Sequence, residues 1–286
     1  MSAADELHEF HYRLPQRATG QRPGSHPGSS LGAGQEFVSH MSLYDRPDPR
    51  RLDLRASIRD PEGRWLVRVN RQRAGIPVYL LADVSASMAF GSAASKIQRM
   101  SEFALSLGDS VFRTGDALGM LAYDASERTD LMLAPMHSRG AGVMMAESLA
   151  RARADQPSTA GIFQACSRIA GKQALVFLAS DFHAPLEQTS AALDLLSHAY
   201  VVPMVIWDEV EPKAPEGEGL LALRDIESGR RRGLWLRPQI RRRWEDAFAD
   251  RREALEKLFS SRGVRPFYMT GRFDADALSR YFFEAV

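Results

Sequence analysis

The chain has 286 residues, 44% of them hydrophobic and 26% charged, with a formal net charge of +1 at pH 7. That length can hold one large domain or two smaller ones with an ample core, and the near-zero charge makes no general case for a nucleic-acid or membrane partner. The single cysteine, Cys166, excludes an internal disulfide and a thiolate metal cluster.

No apolar run approaches the roughly 20 residues needed to span a bilayer. The acidic start, residues 1–6, has no apolar stretch of the kind a secretory signal carries, so a cytoplasmic protein is expected. Lysine occurs only at positions 96, 172, 213 and 257, and the remaining basic side chains are arginine.

In chain order, residues 15–36 are rich in Gly, Pro and Ser and are expected to form an extended arm or loop. They lack the Gly-Lys-Ser/Thr ending of a phosphate-cradling loop. Residues 65–69 predict a strand. From residue 76 the rhythm changes. Residues 76–82 are almost continuously apolar, as in a strand covered on both faces. Ile97, Met100, Phe103, Ala104, Leu107 and Val111 recur at helical spacing and predict a helix over 92–113.

Further strands are predicted at 117–123, 174–179, 200–207 and 264–269. Further helices are predicted at 142–154, 161–169, 186–198, 238–262 and 274–283. Residues 209–219 read as a loop and 220–236 as a hairpin. The helix from Pro238 begins with a proline suited to a first helical position and ends at Gly263. The expected division is an extension of loops and short strands over 1–73, then one α/β domain over 74–286. The alternation of strand and helix predicts a mostly parallel sheet with helices on both faces.

Two of the buried runs end in a carboxylate. Val78-Tyr79-Leu80-Leu81-Ala82 leads into Asp83-Val84-Ser85-Ala86-Ser87, and residues 174–179 lead into Asp181. Open α/β sheets place their ligand sites at such strand ends. The loop Gln156-Pro157-Ser158-Thr159-Ala160-Gly161 adds a further hydroxyl. Asp83, Ser85, Ser87, Thr159 and Asp181 would form an all-oxygen site suited to Mg²⁺, Mn²⁺ or Ca²⁺ rather than zinc. With Ser85, Ser87 and Thr159 as direct ligands and the two carboxylates acting partly through water, the ion stays electrophilic and keeps a position open to a carboxylate from a partner. The competing reading is that Asp83 and the serines only cap the helix that follows.

Asp-x-Ser-x-Ser, the later Thr159 and the later Asp181 resemble the metal-ion-dependent adhesion site of von Willebrand factor type A domains. Ser158 is the alternative to Thr159. The resemblance implies a von Willebrand A-like, Rossmann-like fold, a divalent ion (Mg²⁺ first) and a protein partner. Gly24-Ser25-His26, residues 32–37 and Arg50-Arg51-Leu52-Asp53-Leu54-Arg55-Ala56-Ser57 resemble the group called "domain of unknown function 58". Leu54 stands where that group has an aromatic, and Arg46-Pro47 replaces its Gly-Asp. The resemblance implies an adaptor for a MoxR-type AAA+ ATPase that matures or activates a metalloenzyme. It points to the branch encoded with bacterial methanol dehydrogenase.

A non-enzymatic protein is therefore expected. The alternative is a Mg²⁺-dependent phosphohydrolase using Asp83, although such enzymes usually carry a second Asp where Ser85 stands. Neither Ser85 nor Ser87 has the Gly-x-Ser-x-Gly frame of a hydrolase nucleophile. His183 reads as a surface loop residue and Cys166 as core. Arg230, Arg231, Arg232, Arg241, Arg242 and Arg243 form a candidate partner-binding patch. The acidic residues that follow on the same helix favour an ion-paired or protein-docking face over nucleic acid.

Overall fold

The computed structural model describes residues 9–14, 23–32, 34, 36–215, 219–224 and 231–284. The chain divides into two compact units. One comprises Arg13–Ile76 with Thr114–Asp116. The other comprises Met1–Tyr12, Pro77–Arg113 and Ala117–Val286.

In the smaller unit β1 (Pro23–Gly32), β2 (Glu36–Ser42) and β3 (Leu66–Ala74) form an antiparallel sheet in the order β1-β3-β2. The stretch expected to be an arm or loop is thus partly strand, while residues 15–22, 33 and 35 lie outside the described residues. Gly and Pro weaken an interior strand, but β1 is an edge, and two shifts of register along it absorb the irregularity. Gly24 has a steric reason as well, since a Cβ there would meet the Gly75 nitrogen at 2.3 Å.

Asp53 organises the motif at 50–57. Its carboxylate caps α1 (Leu54–Arg59) by accepting from the Ala56 N–H, receives the Arg68 guanidinium at 2.6 Å and pairs with His40 at 3.2 Å. The bonds from Ala56, Arg68 and His40 hold it well below the usual carboxylate range.

The larger unit is built on β4 (Pro77–Asp83), β5 (Ala117–Tyr123), β6 (Leu133–Met136), β7 (Leu175–Ser180), β8 (Tyr200–Ile206) and a later strand, Phe267–Met269. After β4 come α2 (Lys96–Thr114), and after β6 α3 (Ala141–Arg151) and α4 (Ile162–Ser167). After β7 comes α5 (Leu186–Leu195). The chain then forms the hairpin β9 (Gly219–Arg224) and β10 (Arg231–Leu236), the long α6 (Pro238–Ser260), β11 (Phe267–Met269) and α7 (Ala275–Phe283). The sheet order is β11-β8-β7-β4-β5-β6. Every pairing is parallel except β5 with β6. This is the mixed α/β architecture expected from the alternating pattern, and it is compatible with a von Willebrand A-like or Rossmann-like fold.

Side-chain alternation along β7 shows why both faces are covered. Val176 and Leu178 join Ile162, Cys166, Leu193, Leu255 and Phe259, so α4, α5 and α6 pack on one face. Phe177 points the other way, its ring 5.3 Å from Phe103 of α2 and 6.2 Å from Phe282 of α7. Phe10 joins this second cluster, buried against Phe103, Phe177 and Phe273. On helical periodicity alone α2 is expected from residue 92, yet it starts at Lys96. The Ser92 N–H and hydroxyl are both bound to the Asp208 carboxylate, at 3.0 and 2.8 Å, and Ser95 caps the helix, its Oγ accepting from the Gln98 N–H while Gln98 Oε1 accepts from the Ser95 N–H. The short antiparallel edge β6 escapes sequence reading because its run is brief and contains Pro135. The hairpin is present, but its turn at 225–230 lies outside the described residues.

Candidate metal and partner site

The sheet reverses its winding at β4. The chain leaves β4 for β5 and β6 on one side and returns to β7 on the other. A crevice opens outside the carboxyl ends of the strands at such a switch point. Asp83 is the last residue of β4, Ser180 the last of β7, and Asp181 follows it. The Ser180 hydroxyl donates to Asp83 Oδ2 at 2.6 Å, and the Ser85 N–H donates to Asp83 Oδ1 at 2.9 Å. The Ser85 and Ser87 hydroxyls lie 3.3 Å apart, and Ser87 is near enough to Asp181 to favour its ionised form. Asp83, Ser85, Ser87 and Asp181 are therefore brought together. Ser85 stands at the N-cap of a short 3₁₀ helix, Ala86–Ala89, but makes no side-chain capping bond there, and neither Ser85 nor Ser87 caps α2, which begins only at Lys96.

Thr159 is placed differently. Its loop is held against the Asp83 loop by the Ala86 N–H, which donates to the Gln156 carbonyl at 2.8 Å. The Thr159 hydroxyl, however, donates to Gln188 of α5 at 3.2 Å, and Ser158 Oγ accepts from the Ala160 N–H.

The two carboxylates have opposite electrostatics. Burial first, and then the charge of Asp181, push the Asp83 carboxyl up to about 6, even though bonds from Ser180 and Ser85 favour its ionised form. Burial also pushes Asp181 up, but the Lys96 and His183 charges and the hydrogen bonds from Lys96 and Ser87 together hold it below its ordinary value. Lys96 was not anticipated. Its ammonium is 1% exposed and lies 2.9 Å from Asp181 Oδ2 and 2.6 Å from Glu211 Oε1. Glu211 also accepts from the Asp208 N–H at 2.7 Å, and His183 Nε2 stands 3.7 Å from it.

The loop after Asp181 is clamped from α6. Phe182 has φ 53°, a left-handed conformation rare for a bulky residue, while its ring is buried against Phe259. The Arg251 guanidinium donates to the carbonyls of Phe182 and Ala184. The Trp207 indole donates to the Asp181 carbonyl at 2.9 Å, and Trp244 of α6 donates to the Glu211 carbonyl at 2.7 Å. Of the candidate basic patch, Arg230 lies outside the described residues. Arg231 and Arg232 are in β10, Arg241 is partly buried, and Arg242 and Arg243 are exposed on α6.

Among the described residues no group of three or more His, Cys, Asp or Glu side chains is placed to hold an ion. An ion here would therefore depend on hydroxyl donors. One observation supports such a fit. Asp83 is fully buried, and both of its oxygens accept from neutral donors, while the buried Lys96 ammonium pairs with Asp181 and Glu211 instead. Two carboxylates and two hydroxyls in one cluster are the ligand chemistry of a hard divalent cation.

A mostly parallel sheet with an oxygen-rich cluster at its switch point makes this a mixed α/β protein, compatible with a Rossmann-like fold, with a candidate ligand site at the carboxyl edge. The chain belongs to the family described as "Protein of unknown function DUF58", whose pattern matches residues 45–254. No curated protein matches the chain. Among solved structures it is similar to an aerotolerance-related membrane protein from Bacteroides fragilis, at 15% identity and TM-score 0.47, with 74% of this chain and 98% of that one covered. It is similar to the conserved hypothetical protein BatB from Bacteroides thetaiotaomicron at 15% identity and TM-score 0.44, with the same coverage. Proximal thread matrix protein 1 from the mussel byssus aligns over 46% of this chain and 38% of its own, at 18% identity and TM-score 0.32.

Proposed function

We propose that this chain is a non-enzymatic, divalent-metal-dependent protein-interaction module of the von Willebrand A type. The observation that carries the reading is the meeting of Asp83, Ser85, Ser87 and Asp181 at the switch point of the sheet. In this reading Ser85, Ser87 and Thr159 hold the ion, Thr159 by turning from Gln188, and Asp83 and Asp181 act directly or through water. Mg²⁺ suits these donors best, with Mn²⁺ and Ca²⁺ as alternatives. When bound, the ion supplies an open electrophilic position for an acidic side chain of a partner.

The partner implied by the family resemblance is a MoxR-type AAA+ ATPase in the cytoplasm, with a metalloenzyme, methanol dehydrogenase in particular, as its client. Exposed Arg242 and Arg243 would add electrostatic steering. Phosphohydrolysis by Asp83 is the weaker reading, because a nucleophile must reach its substrate, and Asp83 is 0% exposed with both oxygens engaged.

The test is capture of a MoxR-type AAA+ ATPase, using wild type, Asp83→Ala and chelator-treated protein, alongside a phosphatase assay with Mg²⁺. Capture by the untreated wild type alone, with no turnover, supports the reading. Undiminished capture in all three, or Mg²⁺-dependent turnover lost in Asp83→Ala, overturns it.

A further inference from the structure

Of the four lysines, Lys96 alone is buried. Its position is costly twice over. The ammonium is removed from water, and it belongs to the first residue of a 19-residue helix, where the macrodipole is positive. What offsets this is a pair of carboxylates from two different loops, Asp181 at 2.9 Å and Glu211 at 2.6 Å. The chain fixes both. Asp181 Oδ1 accepts from the His183 N–H at 3.2 Å, and Glu211 accepts from the Asp208 N–H. The ammonium also lies over the Phe90 ring, 5.8 Å from its centroid. One of the two carboxylates is the one a divalent ion would share.

We propose that Lys96 is a resident counter-cation of the site. Its ammonium holds Asp181 and Glu211 together in the absence of a divalent ion. An ion seated on Ser85, Ser87 and Thr159 then shares Asp181 with it. Two cations on one carboxylate in poorly solvated surroundings repel each other, so Lys96 keeps divalent binding weak and reversible. A site that stays assembled when empty can follow the divalent concentration instead of depending on the ion to fold. The inference rests on the metal-binding reading above, but half of it concerns the metal-free protein.

The experiment compares the full chain as wild type, Lys96→Met and the double variant Lys96→Met/Glu211→Gln, by thermal melting in chelator and by calorimetric titration with Mg²⁺. Lys96→Met should melt earlier than wild type in chelator and recover when Mg²⁺ is added. The double variant removes one charge of each sign, so it should stay folded in chelator and bind Mg²⁺ about tenfold more tightly than wild type. Equal Mg²⁺ affinity in wild type and double variant would overturn the Lys96 proposal while leaving the metal reading intact. So would a Lys96→Met protein as stable as wild type in chelator. No Mg²⁺ binding by any of the proteins would overturn the metal reading, and the shared-carboxylate claim with it.

Discussion

The Ser180 hydroxyl donates to Asp83 Oδ2 across 2.6 Å, tying the last residue of β7 to the last residue of β4 where the sheet reverses its winding. Asp83 is fully buried, so this bond satisfies an oxygen that has no access to water. Ser180→Ala should destabilise the protein by about 1–3 kcal/mol, the usual cost of an unsatisfied buried acceptor. Urea denaturation at neutral pH in chelator measures it. An unchanged midpoint would mean that Asp83 finds another donor.

The raised Asp83 carboxyl makes stability depend on pH. In the unfolded chain the group titrates near 3.8, and in the fold near 6. Folding takes up a proton between those values, so its contribution is fully present below about 3.8 and is lost as pH rises through about 6. Asp181 has the opposite sign. Held low, it contributes above its ordinary value, and that contribution is lost as pH falls below. Asp83→Asn is neutral throughout and isolates the first effect. Relative to this variant, wild type in chelator should lose stability from about pH 4 to pH 6.5 and then level off. Parallel profiles of denaturation midpoint against pH would refute the assignment.

Arg251 reaches from α6 to the carbonyls of Phe182 and Ala184, in the loop that follows Asp181. Phe182 sits in the left-handed region, and its neighbours must enforce that conformation. Arg251→Met keeps much of the apolar stem but removes both bonds. The expected loss is about 1–3 kcal/mol, with faster amide exchange at residues 182–184 than in wild type. Unchanged exchange there would show that Phe259 packing alone holds the loop.

Gly108 of α2 and Gly142 of α3 let two helices meet backbone to backbone. A Cβ on Gly108 would lie 2.5 Å from Gly142 Cα. Alanine is the better helix former by about 1 kcal/mol, so propensity alone favours Gly108→Ala. The contact is with backbone, which cannot swing aside, and the substitution should lower the melting temperature. A rise would show that α3 shifts at little cost.

The β4 and β7 strands were legible because a strand buried on both faces must be apolar at every position, so Asp83 and Asp181 stood out at their ends. Cys166 was legible as core because it shares a helical stretch with Ile162, Phe163 and Ile169, and burial pushes its thiol up to about 12. The strand β1 was not legible, because an edge tolerates a composition that elsewhere means loop. Lys96 was not legible as part of the site either, because its partners lie 85 and 115 residues further along the chain at Asp181 and Glu211. The scarcity of lysine in an arginine-rich chain was the one signal pointing to it.

Local periodicity by itself determined the order of strands and helices, the α/β class and the candidate carboxylates, since these depend on residues close in sequence. Only the tertiary structure decided that Ser180 bridges to Asp83 and that Thr159 faces Gln188. It also decided that an ammonium from α2 lies between Asp181 and Glu211. Those contacts arise where β7 returns beside β4 and where the loop after β8 closes over α2, so no local pattern encodes them. They also set the electrostatics, because a carboxylate's pKa follows its burial and its neighbours in space.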